Sequence, residues 1–142
     1  MIKKMATLNH EIIEFYDKFS AWEHDIVKGK SFSLAQIHTV EVLGAHGKMR
    51  MKALSDKLGI TTGTLTVQVD KLVATNIIER HPHETDRRSI VVELTKLGKE
   101  LYHEHNDLHL ALTQKITQNL SSEQKELLLT CFTSMNRNFR IT

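Results

Sequence analysis

Two groups of side chains in this 142-residue sequence stand at spacings that suit chemistry. The first is a set of histidines, nine in all, which is many for the length and asks for a purpose beyond surface polarity. In the run YHEHNDLH, His105 and His109 lie one helical turn apart, so their imidazoles point the same way and can share a metal ion. His105 falls on the row of Leu101 and Leu112, inside an apolar stripe, whereas His103 points to the opposite side. The run is not the HExxH arrangement of zinc proteases, because the fifth residue counted from His103 is Asp107. A histidine pair supplies two ligands and zinc takes four. Further donors are His38 in an upstream helix, and Glu23, His24 and Asp25 at the end of the first. Without a metal, the same histidines can line a cavity or a solvated helix face. A metalloenzyme would also need an open metal position, a base and a cleft. Glu104 and Asp107 are the nearby bases, and no nucleophile motif accompanies them. His81 and His83 read as solvated or phosphate-facing, and His10 and His46 follow no pattern.

The second group runs from Lys48 to Arg88. In ITTGTLTVQVDKLV the apolar residues Leu65, Val69 and Leu72 form one stripe. The other faces carry Thr61, Thr62, Gly63, Thr64, Thr66, Val67 and Lys71, nearly all small, hydroxylated or basic. Such a helix can lie close to a surface, and the major groove of DNA is one to which threonine offers both a hydroxyl and a methyl. Lys48, Arg50, Lys52 and Lys71 are placed for phosphates. Downstream, HPHETDRR separates two strand-like runs, so Arg87 and Arg88 project on a hairpin, where an arginine suits the narrow minor groove. Asp86 beside them can hold the second arginine in place. Residues 48–88 carry eight basic and five acidic groups, a net +3, and the remainder of the chain sums to about −1. Positive charge is gathered where nucleic acid would sit.

These groups need elements to hold them. Leu8, Ile12, Phe15, Phe19, Trp22 and Ile26 step as a heptad seam over a first helix at 5–28. Ser33 and Gln36 form a capping box that opens a second helix, with Gly44 and Gly47 closing it. Met51, Leu54 and Leu58 mark a third helix stopped by Gly59, and Thr61 or Thr62 caps the fourth. Ile90, Val92 and Leu94 alternate as a strand, and Pro82 predicts loop. Thr95 caps a long helix to about Asn119, with Leu97, Leu101, Leu108, Leu112 and Ile116 on its inner row. A second capping box, Ser121 with Gln124, opens a last helix that repeats Leu128, Phe132, Met135 and Phe139. Terminal helices with apolar seams predict a shared dimer interface. The fold class is mainly α with a small β-hairpin wing. Cys131 alone excludes an internal disulfide and suits a cytoplasmic protein, and no apolar run approaches membrane-spanning length.

The run TTGTLTVQVDKLV, the wing DRRSIVVELT and the following LTKLG resemble the MarR family of bacterial regulators, over nearly the whole chain. The resemblance implies a winged helix-turn-helix whose N- and C-terminal helices form the dimer interface. It sets a single chain at 1–142, a DNA-binding lobe at 33–95 and dimerisation helices at 5–28 and 96–142. It implies a homodimeric repressor on a near-palindromic double-stranded operator, no enzyme, and an effector that is either a metal ion or a small aromatic or lipophilic molecule. Gln36-Ile-His38, Glu104-His105 and His109 stand at the offsets found in the zinc-responsive repressors of streptococci and lactococci. That similarity implies zinc held by His38, His105 and His109, completed by Glu23, and strengthening operator binding. That branch's accessory site uses a glutamate where this chain has Ile37, and a loop cysteine it lacks. The GTLT run also resembles the peroxide-sensing branch, but no cysteine stands in the first helix, which excludes that sensing chemistry.

Overall fold

The computed structural model describes residues 1–139. Residues 140–142, the tail of the expected dimerisation range 96–142, lie outside the described residues. In chain order the elements are α1 (Ile2–Val27), α2 (Leu34–His46), β1 (Met49–Arg50), α3 (Met51–Leu58), α4 (Thr62–Ala74), β2 (Ile78–Pro82), β3 (Ile90–Leu94), α5 (Lys96–Ile116) and α6 (Ser122–Asn138). They fall into two compact units, Met1–Tyr102 and the segment from His103 on, with α5 beginning in the first and ending in the second.

The first unit holds the core. Ile37, Val40 and Leu43 of α2, Leu54 of α3, Leu65, Val69 and Leu72 of α4, and Ile78, Val92 and Leu94 of the sheet are each at most 6% exposed. Burying a side chain of this kind contributes about 1.5–3 kcal/mol, so ten of them account for the lobe's cohesion. The expected punctuation holds. Both halves of the Ser33–Gln36 capping box are made, at 2.8 and 3.2 Å. Gly59 ends α3 in the left-handed region at φ 70°, where a Cβ would be strained. Of the two candidate caps, Thr61 is the one that accepts the Thr64 N–H, at 3.2 Å.

Three expectations need correction. The wing is not a hairpin alone: Met49 and Arg50 form β1, which pairs with Val92 and Val91 of β3 and makes a three-stranded sheet, β1-β3-β2. Two residues carry too little alternation to be read as a strand. Pro82 lies in β2, not in a loop, paired with Ile90. β2 is an edge strand, so the missing prolyl N–H costs no ladder bond. Gly44 does not close α2; it sits within it, and a Cβ there would stand 2.2 Å from the ring of Tyr102.

Within the second unit the Ser121–Gln124 capping box opens α6, with both bonds made at 2.9 and 3.1 Å. No residue of α6 is buried, and Leu127, Leu128, Leu129, Phe132, Met135 and Phe139 are all exposed. α1 likewise buries nothing, leaving Leu8, Ile12 and Phe15 about half exposed, with Phe15, Phe19 and Trp22 in ring contact along it. Among the described residues no helix is long and apolar enough to cross a membrane.

Candidate nucleic-acid interface

The hydroxyls of α4 are arranged from its first turn. Thr61 donates its own hydroxyl proton to Thr64 Oγ1 at 3.0 Å while accepting the Thr64 N–H, so the Thr64 hydroxyl proton is directed away from the cap. Thr66 donates back to the Thr62 carbonyl at 2.8 Å, which leaves its methyl and lone pairs outward. Thr62, Gly63, Thr64, Thr66, Val67 and Lys71 are all exposed, and a Cβ on Gly63 would meet nothing within 4 Å. Nothing in the fold fills the space beside Gly63, so close approach from outside is open there. The buried face of α4 is pinned to α2 by Leu65, Val69 and Leu72, and the buried Thr39 hydroxyl, shared with the Ala35 carbonyl at 3.1 Å, lies 3.3 Å from Gln68 Oε1.

Several of the basic groups are held by carboxylates. Lys48 lies 3.7 Å from Glu84, and Lys52 is bonded to Asp56 at 2.8 Å. Arg80, which had no role in the sequence reading, pairs with Asp70 of α4 and ties β2 to that helix. These pairs are exposed, so each is worth at most about 1 kcal/mol and yields readily to a phosphate. The two wing arginines differ. Arg88 gives its backbone N–H to Asp86 Oδ1 at 3.1 Å and keeps its guanidinium 3.7 Å away, whereas Arg87 is exposed and has no ion pair among the described residues. The Arg88 N–H first, then the Ser89 hydroxyl, with smaller help from the charges of Arg50 and His83, hold the Asp86 carboxyl below the usual carboxylate range. A depressed folded value gives wing stabilisation that is present above the ordinary carboxylate pKa and lost as pH falls through the lowered one.

Of the wing histidines, His81 is exposed and His83 half-buried, and both are engaged by neighbouring side chains. His81 Nε2 lies 2.9 Å from Glu93 and 3.3 Å from Glu79, two carboxylates directly opposed in the β2–β3 register. Like charges so placed repel, and the imidazole between them offsets that. His83 gathers the loop. Its Nδ1 faces the Thr85 and Asp86 N–H groups at 3.3 and 3.1 Å, and its Nε2 faces Arg50 Nη2 at 3.0 Å. An acceptor two and three residues ahead of Thr85-Asp86 is the pattern of an Asx-type turn, a signal in the sequence that a histidine disguises.

The four residues implied as zinc ligands come together as two pairs. Glu23 and His38 bond to each other at 2.8 Å. On α5, His105 and His109 bring their Nε2 atoms to 3.1 Å, and His105 is 2% exposed. Two nitrogens each about 2.0–2.1 Å from a tetrahedral ion stand roughly 3.3 Å apart, so this pair needs little adjustment to chelate one.

Residues 32–90, spanning α2 to the start of β3, match the sequence profile of the MarR family. The uncharacterized HTH-type transcriptional regulator YfiV of Bacillus subtilis is 30% identical over 95 residues, 66% of this chain and 59% of that relative's length. Streptococcus pneumoniae FabT, solved in complex with DNA, superposes with a TM-score of 0.81 at 26% identity, over 94% of this chain and 95% of FabT. A MarR family protein from Bacillus stearothermophilus reaches a TM-score of 0.87 at 15% identity over 97% and 96% of the two chains, a likeness of fold.

Proposed function

The chain belongs to the MarR family, and from that premise we propose that it is a homodimeric, sequence-specific DNA-binding regulator that represses from a near-palindromic operator in the cytoplasm. The observation that carries this is the outer face of α4, where Thr62, Gly63, Thr64, Thr66 and Val67 are exposed and the space beside Gly63 is open. FabT, solved with DNA, supports it from outside. In this reading α4 enters the major groove, the Thr64 hydroxyl and the Val67 methyls meet base edges, and Lys48, Arg50, Lys52 and Lys71 take phosphates. Arg87 or Arg88 enters the minor groove. The apolar faces of α1 and α6 supply the dimer contact, which sets the two recognition helices about one helical turn, roughly 34 Å, apart.

Selection from a random duplex library followed by anisotropy tests it. Thr64→Ala should change the ranking of duplexes, whereas Lys52→Ala should weaken every duplex alike, and binding should show two chains per site. A Thr64→Ala variant that ranks duplexes as the wild type does would remove α4 from readout.

For the effector, the His105–His109 pair favours a divalent metal, zinc first, over a purely organic ligand. Neutral imidazoles bind metal, so affinity should fall as histidines protonate. Zinc titrated into His105→Ala and His109→Ala should bind at least about tenfold more weakly than into His103→Ala, a loss of roughly 1.4 kcal/mol. Equal zinc affinity in all three would leave the pair structural and make a small aromatic or lipophilic effector the better account.

A further inference from the structure

His83 faces more donors than it can serve. Its Nδ1 has the Thr85 and Asp86 backbone N–H groups in front of it, and its Nε2 has Arg50 Nη2. Backbone amides and guanidinium only donate, and a neutral imidazole has one acceptor nitrogen. If Nδ1 accepts, the ring proton sits on Nε2 and confronts Arg50. If Nε2 accepts from Arg50, the proton sits on Nδ1, where the Thr85 hydroxyl oxygen at 3.2 Å can take it, and the two loop amides lose their acceptor. The ring serves the wing tip or Arg50, never both.

The rest of the loop depends on this choice. Otherwise the turn is held by His83 N–H to the Ser89 carbonyl at 2.9 Å, Ser89 N–H to the Asp86 carbonyl at 3.0 Å, and the Asp86 carboxylate contacts. Arg87, which has no ion pair among the described residues, is carried on that turn. Arg50 stands on β1, paired with Val91, at the foot of α3 and in phosphate reach by the DNA-binding reading.

We propose that His83 couples phosphate capture at Arg50 to ordering of the wing. When a phosphate takes Arg50, Nε2 is released, the ring settles with its proton there, and Nδ1 caps the Thr85–Asp86 amides beneath Arg87. Backbone contact on one side of the lobe thereby prepares the minor-groove contact on the other, a bias between two arrangements of one loop. The phosphate step rests on the DNA-binding reading; the competition for the ring does not.

The test uses the full chain at a pH that keeps histidines neutral, with ring nitrogen couplings reporting the tautomer and amide exchange reporting the loop. In Arg50→Gln without DNA, His83 should move to the Nε2–H form. The Thr85 and Asp86 amides should exchange roughly two- to tenfold more slowly than in the wild type, the range set by one net hydrogen bond. Removing a contact should thus stabilise a loop, which a merely structural His83 would not do. His83→Asn, whose Oδ1 can accept these amides, should be protected with or without Arg50, and His83→Leu in neither background. Adding a selected duplex to the wild type should reproduce the Arg50→Gln pattern. Unchanged tautomer and exchange in Arg50→Gln would overturn the competition and the proposal with it. A duplex that binds by anisotropy yet leaves the ring as it was would overturn the coupling. A duplex that does not bind at all would sink the DNA-binding reading instead, and the Arg50→Gln comparison would still decide the switch.

Discussion

A fourfold rise in salt, from about 50 to 200 mM, is expected to weaken the complex with DNA by about three to five orders of magnitude. The expectation follows from counting cations that can reach phosphate. In the proposed dimer each chain offers Lys48, Arg50, Lys52 and Lys71 around α3 and α4, and Arg87 on the wing, so about six to ten such contacts would form. Each contact releases close to one condensed counterion, and log affinity should fall with log salt at a slope of roughly −5 to −9. The carboxylates already beside these cations decide where in that range the slope lies. Lys52 must exchange Asp56, at 2.8 Å, for a phosphate, and Lys48 must leave Glu84, at 3.7 Å. Lys52→Ala should therefore make the slope shallower by about two per dimer, and Asp56→Asn should strengthen every duplex. Titrations at several salt concentrations check this. A slope near zero would mean that the basic lobe meets something other than DNA.

Gly98→Ala should destabilise the protein by about 2–3 kcal/mol, near the top of the range for overpacking a core. A Cβ at Gly98 would lie 2.2 Å from the carbonyl oxygen of Ile77 and 3.2 Å from Leu94 Cβ. That carbonyl already accepts the Thr95 N–H at 3.0 Å, and the Thr95 hydroxyl is bonded to the adjacent Asn76 carbonyl at 2.6 Å, so it cannot retreat without disturbing the junction of β2, β3 and α5. Alanine in a helix gains up to about 1 kcal/mol over glycine, which is too little to reverse the sign. Gly44→Ala should follow the same logic with a softer obstacle, the Tyr102 ring at 2.2 Å. Adding Tyr102→Ala should recover part of the Gly44→Ala loss, and that non-additivity separates a steric clash from a general weakening of α2. Denaturant midpoints measure both. A Gly98→Ala protein as stable as the wild type would show that this junction can open without cost.

Most of the architecture could be read from the residues because local signals agreed with tertiary ones. Ser33 with Gln36, Gly59, and the Leu65–Val69–Leu72 stripe each say by themselves where a helix begins, ends or buries. What escaped depended on partners distant in sequence. Met49 and Arg50 become a strand only because β3 offers them a ladder, and Gly44 is explained only by Tyr102, 58 positions on. The site divides along the same line. The threonines of α4 were legible as an outward face, since periodicity alone sorts a helix into faces. The inequality of Arg87 and Arg88 was not, because it hangs on one backbone N–H to Asp86. His83 hid for a different reason: residue type announces a titratable ring, whereas here its two nitrogens face the Thr85 and Asp86 amides and Arg50.

The strand order β1-β3-β2 leaves β2 with one side of its ladder unpaired, and that side ends in Pro82 after Glu79, Arg80 and His81. Open ladders recruit further strands, and copies of this chain held close together would bring many such edges within reach of one another. A proline withholds the hydrogen that an incoming strand would need, and a run of charges makes its approach costly. β1, at the other margin, is two residues long and too short to template anything. The wing is thereby barred from growing into a larger sheet, and crowded copies can lie side by side without knitting together.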